Sequence, residues 1–483
     1  MTKLSLTGRG PTRSRREPLD VLIAGGGVAA IETLLALCVL AHARVRVTLL
    51  SATAQFLYRP VTVAEPFDRA EARTYDVAEI AADQGARLIV DELVRVDGGA
   101  HLVQTRSGRR VPFDVLVVAT GARAVASLPG ALSFGGRDAG PAMRELVEDV
   151  SAGTVRSVAF ALPAETVWPV PLYELALMTG AHARAAGARP ELTIVTPEPA
   201  PLSVFGAAAA GALASVLEQR RIAMRTLSLP AHVEPGALVL AGGQRVPAER
   251  VVTVPRIVGR PIHGLPVDAR GFVAVDAHGR VRGMPDVYAA GDAIAFPLKQ
   301  GGLAAQQADA VAEAIAARAG ADVDARPFHP VLRGLLLVGG APLYLRAEAG
   351  RLPQHAVIGR DAHEGAELST ASAQALWWPP GKVAGRYLAP YLATARPAWL
   401  GAEPLADRAP VGRPRDADPE HEDALQLTLV LADADARWGD HASALRALDS
   451  AEALAGALPP EYEHKRAQWL AAVRGHPLPE AHV

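Results

Sequence analysis

A glycine-rich turn near the start of the chain has the residue types and spacing that can hold a phosphate group. Gly25-x-Gly27-x-x-Ala30 follows the apolar run 20–24 and precedes residues 31–40, which can form a helix. The first glycine permits a tight turn, the second lets the backbone approach a pyrophosphate, and the alanine lets helix and strand pack closely. The helix N-terminus adds free N–H groups and the positive end of its dipole. The pattern therefore predicts a dinucleotide-binding loop.

A second apolar run, residues 45–50, completes a strand–helix–strand unit of about 30 residues around this loop. Dinucleotide-binding folds usually place an acidic residue at the end of that strand, where it binds the ribose hydroxyls. Ser51 occupies the position here. A hydroxyl lacks the two acceptor oxygens of a carboxylate, so we expect the ribose to be held more weakly or through water.

Strand-like and helix-like segments alternate along much of the remaining chain. The further predicted elements are strands at 115–119, 157–161, 192–195 and 251–254, a strand-like run leading into residues 287–292, helices at 173–186 and 302–317, and a hairpin at 331–346. Strands that alternate with helices pack as parallel sheets. The sequence therefore predicts an α/β fold with doubly wound, three-layer, Rossmann-like domains.

The composition excludes several classes of function. The chain has 483 residues with 49 Lys and Arg against 51 Asp and Glu, so it has no basic excess with which to bind nucleic acid. Its apolar runs are shorter than the ~20 residues that cross a bilayer, and we expect no transmembrane segment and a cytoplasmic protein. The 14 histidines are scattered without metal-ligand spacing, so no metal site is expected.

Three segments together resemble the signatures of flavoproteins with two dinucleotide-binding domains, the pyridine nucleotide–disulfide reductase superfamily. They are residues 20–30, the turn Ala119-Thr120-Gly121, and the Tyr-Ala-Ala-Gly-Asp run at 288–292. The segments 56–60 (Phe-Leu-Tyr-Arg-Pro) and 300–307 make the chain more similar to sulfide:quinone reductases and type II NADH dehydrogenases. The resemblance extends from about residue 18 to residue 400.

The resemblance implies FAD as a non-covalent cofactor and assigns contacts to it. The glycine-rich loop would hold its pyrophosphate, Thr120 and Gly121 would pass near the dinucleotide, and Asp292 would hydrogen-bond its ribityl or phosphate portion. A helix that begins near Gly302 would direct its N-terminus at the flavin N1/C2=O edge, where negative charge develops on reduction. Lys299 could add a positive charge there or could be a solvent-facing loop residue.

Similar enzymes also bring a proline-containing loop up to the isoalloxazine ring. Tyr58-Arg59-Pro60 follows the second strand and matches that loop, which would place Arg59 and Pro60 at the flavin. The alternative is a simple turn at the end of the strand with a surface arginine.

Cysteine chemistry is excluded by the single cysteine, Cys38. One thiol cannot form an intramolecular disulfide, a CxxC pair or a multi-thiolate metal site. It lies in the apolar stretch 34–40, which favours a buried, inert thiol over a reactive one. The sulfide:quinone reductases that this chain resembles use cysteines to attack sulfide and carry sulfur. The chemistry here is therefore expected to pass through the flavin without a cysteine relay.

The segment that should bind a nicotinamide cofactor departs from the family pattern. Residues 162–174 replace the second glycine motif with a stretch that has no glycine and three prolines. The prolines remove backbone donors, Trp168 would occupy the space of a pyrophosphate, and Glu165 would repel its charge. Binding of NAD(P)H is therefore doubtful.

Several side chains in and after this segment are candidates for substrate chemistry. Trp168 and Tyr173 could form a stacking platform for a ring substrate or quinone, or could simply pack. Glu174 lies where relatives carry a helix-borne glutamate near the flavin, so it is a candidate proton carrier, with Lys299 the other catalytic candidate. An exposed helical glutamate is the alternative. The aromatic residues of 376–391 could line a quinone pocket or bury a subunit contact.

The predicted organisation has the second Rossmann-like domain inserted in the first. Its parts are a disordered basic tail (1–17), the first part of an FAD-binding domain (18–150), a degenerate NAD(P)-type domain (151–265), the second part of the FAD-binding domain (266–325), an interface domain (326–401), a linker (402–420) and a helical hairpin (421–483).

Two functions follow from these expectations. The first is an FAD-dependent oxidoreductase with an unidentified small-molecule electron donor and a quinone as a candidate acceptor. The second is a non-catalytic FAD-binding redox sensor or scaffold that binds a partner through its C-terminal helices. Residues 326–401 and 421–483 are the expected surfaces for a protein partner or a subunit contact.

Overall fold

The computed structural model describes residues 17–135, 139–164, 166–349, 366–377 and 379–395, together with individual residues and short runs between 429 and 473. The predicted linker, nearly all of the basic tail and much of the helical hairpin lie outside the described residues, as do Glu165 and Trp378. The predicted domain boundaries remain predictions.

Eight helices and four short 3₁₀ segments are described. The helices are α1 (Val28–Leu40), α2 (Val77–Asp83), α3 (Ala139–Ser151), α4 (Val170–Ala185), α5 (Gly206–Gln219), α6 (Gly301–Arg318), α7 (Leu388–Ala395) and α8 (Pro460–Val473). The 3₁₀ segments are His42–Arg44, Arg59–Phe67, Ser203–Phe205 and Gly291–Ala293.

The described strands are short, as is typical of sheets that are joined by helices. They are β1 (Leu19–Ala24), β2 (Val45–Ser51), β3 (Gln55–Leu57), β4 (Thr74–Asp76), β5 (Arg87–Val90), β6 (Leu93–Asp97), β7 (Leu102–Thr105), β8 (Arg110–Pro112), β9 (Val115–Val118), β10 (Arg123–Val125), β11 (Leu132–Ser133), β12 (Ser157–Ala161), β13 (Glu191–Val195), β14 (Ile222–Arg225), β15 (Pro230–Glu234), β16 (Ala237–Leu240), β17 (Arg245–Pro247), β18 (Arg250–Thr253), β19 (Arg256–Val258), β20 (Val287–Ala289), β21 (Val331–Leu336), β22 (Leu343–Ala349) and β23 (Ala366–Ser372).

The first large sheet has the strand order β20-β9-β1-β2-β5, and all its pairs are parallel. Its central strands are apolar on both faces because both faces are covered. Val21 and Ile23 pack with α1 and α6, while Leu22 and Ala24 pack with the small antiparallel sheet β6-β7-β8. The carboxyl ends of β1, β2, β9 and β20 therefore meet at one edge, where the glycine loop begins.

The second large sheet has the order β11-β18-β12-β13-β14 and is also parallel. Its strands come from the chain between β9 and β20, so the chain leaves the first sheet and later returns to it. Helices α3, α4 and α5 contribute to the core on one face, and β15-β16-β17 covers the other. The two parallel, three-layer units confirm the predicted α/β fold class.

The predicted hairpin at 331–346 is present as the antiparallel pair β21 and β22, and β23 extends it to three strands. This sheet shares a hydrophobic core with the second large sheet through residues such as Leu335 and Leu345. After β23 the chain continues into residues 379–395, which we call the C-terminal arm. The arm returns to the first sheet and ends in α7.

Helix α1 is buried on nearly all sides, because it is covered by the first sheet, by α6 and by the arm. A helix that is apolar all round is the expected solution for such a position. Glu32 is the one charged residue of α1. It is fully buried and accepts hydrogen bonds from the backbone of Tyr387 and Leu388 in the arm. The arm is therefore attached to the helix that follows the glycine loop.

Candidate functional site

The glycine loop connects β1 to α1 in a conformation that depends on its glycines. Gly25 has a φ of 147°, and an added Cβ would fall well inside van der Waals distance of the carbonyl oxygen of Ala119. A Cβ on Gly26 would clash in the same way with the Ser51 hydroxyl. A Cβ on Gly27, in contrast, would have no described atom within 4 Å. The loop is thus tightly supported from behind and open at Gly27.

The open side faces the start of α1. The first hydrogen bond of this helix joins Ile31 N to Gly27 O over 3.0 Å, and Gly27 supplies no side-chain cap. The first turn contains no acidic residue, so its N–H groups and dipole remain suited to an anion. These observations fit the diphosphate of FAD. Gly25, Gly27 and Ala30 are therefore retained as its predicted contacts.

Ser51 lies at the end of β2, behind Gly26, and its side chain is buried. Its hydroxyl donates to Thr53 O over 2.7 Å. Because the hydroxyl proton is used within the turn, the oxygen can act toward a ribose only as an acceptor. The expected weaker ribose contact remains a prediction.

Thr120 and Gly121 follow β9 beside the same loop. Ala119, the residue before them, forms the wall behind Gly25 and donates its N–H to Ala24 O over 2.7 Å. Gly121 has a φ of 68°, in the left-handed region, and both residues of the pair are half-buried. This placement is consistent with their predicted contact with the dinucleotide.

Asp292 lies next to the start of α1, in the 3₁₀ turn after β20. A Cβ on Gly291 would be 2.9 Å from the Cβ of Ala29, and Gly291 N donates to Gln307 Oε1 over 2.8 Å. Burial raises the pKa of the half-buried Asp292 carboxyl, and the positive charges of Lys299 and Arg59 oppose the shift. The fold therefore brings three of the predicted site residues within electrostatic range of one another.

Lys299 is only 7% exposed, so the solvent-facing alternative for this residue was wrong. Its ammonium group donates to Ile294 O and lies 3.9 Å from the centroid of the Phe272 ring. Burial lowers the pKa of Lys299 to about 8, and the nearby Asp292 carboxylate opposes that shift. A buried lysine with a pKa near neutrality can change its charge within the physiological range.

The segment predicted to approach the flavin ring contains a buried tyrosine and an exposed arginine. Tyr58 is buried, and its hydroxyl accepts a hydrogen bond of 3.1 Å from Val383 N in the arm. Arg59 begins the 3₁₀ segment with Pro60 in its first turn. The side chain of Arg59 is exposed, as the surface-arginine alternative expected, although its charge still acts on Asp292.

Helix α6 begins at Gly301, one residue before the predicted start, and Gly302 is buried in its first turn. Gln300 is the N-cap: its Oε1 accepts from Leu303 N over 2.8 Å and its Nε2 donates to Arg333 O over 3.0 Å. A Cβ on Gly301 would lie 2.7 Å from Val383 Cγ2. The arm therefore packs directly against the helix N-terminus that is predicted to face the flavin.

Glu174 and Lys382 form a buried ion pair beside this helix start. Their side chains are 1% and 8% exposed, and Glu174 Oε1 also accepts from Leu337 N over 2.9 Å. The exposed-glutamate alternative was therefore wrong. Burial raises the pKa of the Glu174 carboxyl, and the Lys382 charge opposes the shift. Sequence reasoning missed Lys382. The one signal in the sequence that could have drawn attention to it is the rarity of lysine in this chain.

The proline-containing segment before α4 packs into the protein. Val167 O accepts a hydrogen bond of 3.3 Å from Lys299 N, so this segment contacts the approach to α6. Trp168 is half-buried, with its ring edge-on to Phe205 at 5.6 Å. Tyr173 is completely buried, so of the two alternatives for this residue the packing one is confirmed and the stacking one is excluded, because its ring is enclosed in the core.

Glu198 was missed by the sequence analysis. It follows β13, the second strand of the strand–helix–strand unit in the second sheet, which is the position of a ribose-binding carboxylate in a dinucleotide fold. Here Glu198 is fully buried and accepts hydrogen bonds from the Tyr173 hydroxyl (2.5 Å) and the Thr196 hydroxyl (2.9 Å). Its carboxylate therefore faces the protein interior rather than a nucleotide groove.

The aromatic side chains of 376–391 are also largely engaged in internal contacts. Trp377 donates to Gly381 O over 3.0 Å and packs edge-on to Tyr344. Tyr387 is buried, and the Tyr391 hydroxyl donates to Asp83. In the described part of this segment, these rings build the arm rather than an open aromatic surface.

The described residues offer neither a metal site nor a membrane-spanning helix. Within those ranges no three His, Cys, Asp or Glu side chains are grouped closely enough to hold a metal ion. No helix described there combines the length and apolar character needed to cross a bilayer.

Comparison with known proteins agrees with this geometry. A family model described as pyridine nucleotide-disulphide oxidoreductase matches residues 19–150 and 174–317. The unmatched interval between these ranges contains β12 and the proline-containing segment. The chain belongs to the pyridine nucleotide-disulphide oxidoreductase family.

Individual relatives are more distant. An NADH dehydrogenase-like protein of Mycobacterium tuberculosis is 27% identical over 256 residues, which span 48% of this chain and 63% of the relative. The sulfide:quinone oxidoreductase of Aquifex aeolicus has a TM-score of 0.64 at 19% identity, covering 73% of this chain and 86% of that one. A ferredoxin reductase of Rhodopseudomonas palustris has a TM-score of 0.52 at 21% identity, covering 68% and 82%. The structural likenesses show the fold.

We expect Gly25→Ala and Gly27→Ala to separate folding from FAD binding. In Gly25→Ala the new methyl group meets the Ala119 carbonyl at a strained φ, which should lower the free energy of unfolding by about 2 kcal/mol or more. Gly27→Ala should leave apoprotein stability within about 0.5 kcal/mol of wild type, because its methyl group meets no protein atom, but should reduce bound FAD.

Urea unfolding of the apoproteins and the ratio of FAD to protein after reconstitution measure the two effects. A Gly27→Ala protein that retains a full complement of FAD would contradict the placement of the diphosphate.

We expect Glu198 to make the stability of the protein depend on pH below neutrality. Burial raises the pKa of Glu198 to about 7, above the ordinary range of an unfolded glutamate. The folded state therefore retains a proton that the unfolded state releases, and stability falls as the pH rises toward 7. Relative to Glu198→Gln, the wild type should lose about 3 kcal/mol between pH 4.5 and 7.

Tyr173→Phe is the matched control, because the Tyr173 hydrogen bond lowers the pKa of Glu198. Removal of this hydrogen bond should raise the pKa of Glu198 further, so the loss of stability should extend to higher pH. Parallel pH profiles for wild type and Glu198→Gln would contradict this prediction, because they would show that the pKa of Glu198 is the same in the folded and unfolded states.

Proposed function

We propose that this protein transfers electrons between its FAD and a quinone, without a cysteine relay and without NAD(P)H as the electron donor. The observation that carries the proposal is the buried Glu174–Lys382 pair, which the arm holds beside the N-terminus of α6. Three further lines of evidence support the proposal: the state of the thiol, the packing of the second sheet, and the groups that converge near the predicted flavin ring.

The thiol is unsuited to catalysis. Cys38 lies on α1, where its Sγ is 3.6 Å from Gln84 O, and burial raises its pKa to about 12. A thiol with such a pKa is almost entirely protonated at neutral pH and is a poor nucleophile. Sulfur transfer of the kind named for some members of this fold therefore has no suitable residue here.

The second sheet retains the strand–helix–strand architecture but presents few of the features that bind a dinucleotide. Prolines stand in the segment before α4, where the glycine loop is expected, and Pro163 and Pro169 have no N–H to donate to a phosphate. The carboxylate at the ribose position, Glu198, is directed into the core by Tyr173. Both observations argue against NADH or NADPH as the electron donor.

Four segments of the chain meet where the flavin ring is predicted to lie. Val383 binds Tyr58 and packs on Gly301, while its neighbour Lys382 binds Glu174. This arrangement joins the segment after β2, the start of α6, the arm and the start of α4. FAD, when bound, supplies a two-electron carrier. The surrounding residues exclude water and hold a proton close to the ring.

The ion pair suits the chemistry of a quinone. Reduction of a quinone to a quinol takes up two electrons and two protons, so a proton donor close to the quinone oxygen favours the reaction. Glu174 has a raised pKa because it is buried, while Lys382 supplies positive charge that stabilises a developing oxyanion. Glu174 is the proposed carrier of one of the two protons: it receives this proton from the Lys382 ammonium with which it is paired and passes it to the quinone oxygen.

A second candidate is a redox sensor or scaffold that binds a partner through its C-terminal helices. The observation in its favour is that described residues beyond 428 form a small core of their own, which includes Leu448, Tyr462 and Trp469. In this case removal of residues 421–483 should abolish complex formation and leave flavin redox chemistry unchanged. A quinone oxidoreductase should retain electron transfer in the same truncated protein.

We expect the photoreduced holoprotein to be reoxidised anaerobically by decylubiquinone, and the oxidised holoprotein to remain yellow with excess NADH or NADPH. Glu174→Gln should slow reoxidation by tenfold or more, because it removes the proton donor. Glu191→Gln, at an exposed position on β13, is the matched control and should behave as wild type. Stopped-flow absorbance of the flavin measures both reactions.

Two results would refute the proposal. Stoichiometric bleaching of the flavin by either nicotinamide nucleotide would show that the second sheet still binds a donor. Equal rates for Glu174→Gln and wild type would show that the buried pair has no part in quinone chemistry.

A further inference from the structure

A pair of carboxyl groups, the buried Glu32 and the half-buried Asp309, lies between α1 and α6, apart from the Glu174–Lys382 pair. Glu32 on α1 is 0% exposed and is hydrogen-bonded to the side chain of Asp309 on α6. The Oδ1 atom of Asp309 is shielded from solvent and, within the described chain, has no hydrogen-bond partner. Two carboxyl groups can hydrogen-bond to each other only if one of them carries a proton.

The hydrogen bonds identify which carboxyl group is protonated. Both oxygens of Glu32 accept backbone N–H bonds from the arm: Oε1 from Tyr387 N at 2.8 Å and Oε2 from Leu388 N at 2.7 Å. The arm approaches so closely that a Cβ on Gly385 would be 2.6 Å from Glu32 Oε2. A carboxylate that receives several N–H donors is stabilised in its charged form, so the shared proton belongs to Asp309.

The other charged groups near the pair are consistent with this assignment. On α6, the Glu313 carboxylate forms ion pairs with Arg386 from the arm at 3.3 Å and with Arg326 from the chain after α6 at 3.4 Å. Burial raises the pKa of Asp309 well above its usual range, the negative charge of Glu32 adds to the shift, and Arg386 opposes it. Burial also raises the pKa of Glu32, whereas the backbone N–H groups of the arm oppose that shift.

The bonds to Glu32 fix the same arm that carries Lys382. Near the start of the arm, Val383 binds Tyr58 and packs on Gly301, and Lys382 binds Glu174. At the other end, Tyr387 and Leu388 are held by Glu32. The Glu32 carboxylate also lies at the N-terminus of α7, where a negative charge stabilises a helix.

We propose that Glu32 and Asp309 are a proton-sharing positioning pair: by binding residues 385–388 they hold the arm so that Lys382 meets Glu174. The pair acts through the arm, to which Glu32 is hydrogen-bonded at Tyr387 N and Leu388 N. Its effect on electron transfer rests on the proposed quinone function, but the shared proton and the attachment of the arm do not depend on it.

The shared proton has a consequence for pH dependence. The folded protein keeps a proton on Asp309 that an unfolded aspartate would release, so the equilibrium constant for folding falls as the pH rises between the unfolded and folded pKa values. One such proton changes that constant by up to about tenfold per pH unit. Above the folded pKa, two adjacent carboxylates would repel each other and the arm would loosen.

Three variants of the full-length holoprotein test the proposal. Asp309→Asn keeps a donor for Glu32 but carries no titrating proton, so it should retain the arm and lose the part of the pH dependence that Asp309 contributes, while the part from Glu198 remains. Glu32→Gln removes the charge that receives Tyr387 N and Leu388 N, so it should release the arm. Asp83→Asn is the matched control, because Asp83 also binds the arm: it accepts a hydrogen bond from the Tyr391 hydroxyl on α7, at an exposed position.

Three measurements separate positioning from a general loss of stability. At a pH above 8, where Glu198 is ionised, the infrared difference spectrum of wild type minus Asp309→Asn should contain a protonated carboxyl band. Hydrogen–deuterium exchange of residues 382–388 should increase at least tenfold in Glu32→Gln and remain near wild type in Asp309→Asn and Asp83→Asn. In stopped-flow reoxidation of the photoreduced flavin by decylubiquinone, Glu32→Gln should lower the limiting rate at least fivefold with little change in the half-saturating quinone concentration.

The outcomes are distinguishable from failure of the proposed function. If decylubiquinone does not reoxidise the flavin of wild type, the quinone function fails, while the infrared and exchange results still decide the proton-sharing pair. If Asp309→Asn keeps the carboxyl band and the pH dependence of wild type, or releases the arm as Glu32→Gln does, the proposal is overturned. Should Glu32→Gln not fold, Asp309→Asn alone carries the same test.

Discussion

The fold around the candidate site depends on one close backbone contact, between Gly25 and the carbonyl of Ala119. This contact brings the ends of β1 and β9 together and leaves the far side of the loop open at Gly27. The same turn determines where α1 begins, and α1 in turn supports α6 and the arm. A side chain at Gly25 would thus disturb both the phosphate cradle and the helix pair behind it.

Burial of charge is a recurring feature of the elements that surround this loop. An isolated charge in a protein interior is costly, so it must be paired, hydrogen-bonded or neutralised. Lys382 meets this requirement by pairing with Glu174, and Glu198 by accepting hydroxyl donors. Asp309 meets it by keeping a proton that it shares with Glu32. Each solution ties together segments that are far apart in the sequence.

The sequence was sufficient to predict the fold class and the glycine loop because both rest on local patterns. Apolar runs of strand length and glycines at fixed spacing carry their meaning within about 30 residues. The exposure of Glu174 and Lys299 was not predictable in this way, because it depends on the arm and on Phe272, which come from distant parts of the chain. Lys382, Glu198 and Asp309 were missed for the same reason: no local spacing marks their partners.

The second sheet shows how a fold can persist after the features for a ligand are lost. Its parallel strands and helices are stabilised by apolar packing, which does not require glycines at the start of α4 or a free carboxylate after β13. Prolines in that segment and an inward-facing Glu198 are therefore compatible with the architecture. In the same segment, Trp168 packs edge-on to Phe205. Cys38 is half-buried and has a raised pKa, so the polar chemistry proposed for this site comes from charged side chains such as Lys382 and Glu174.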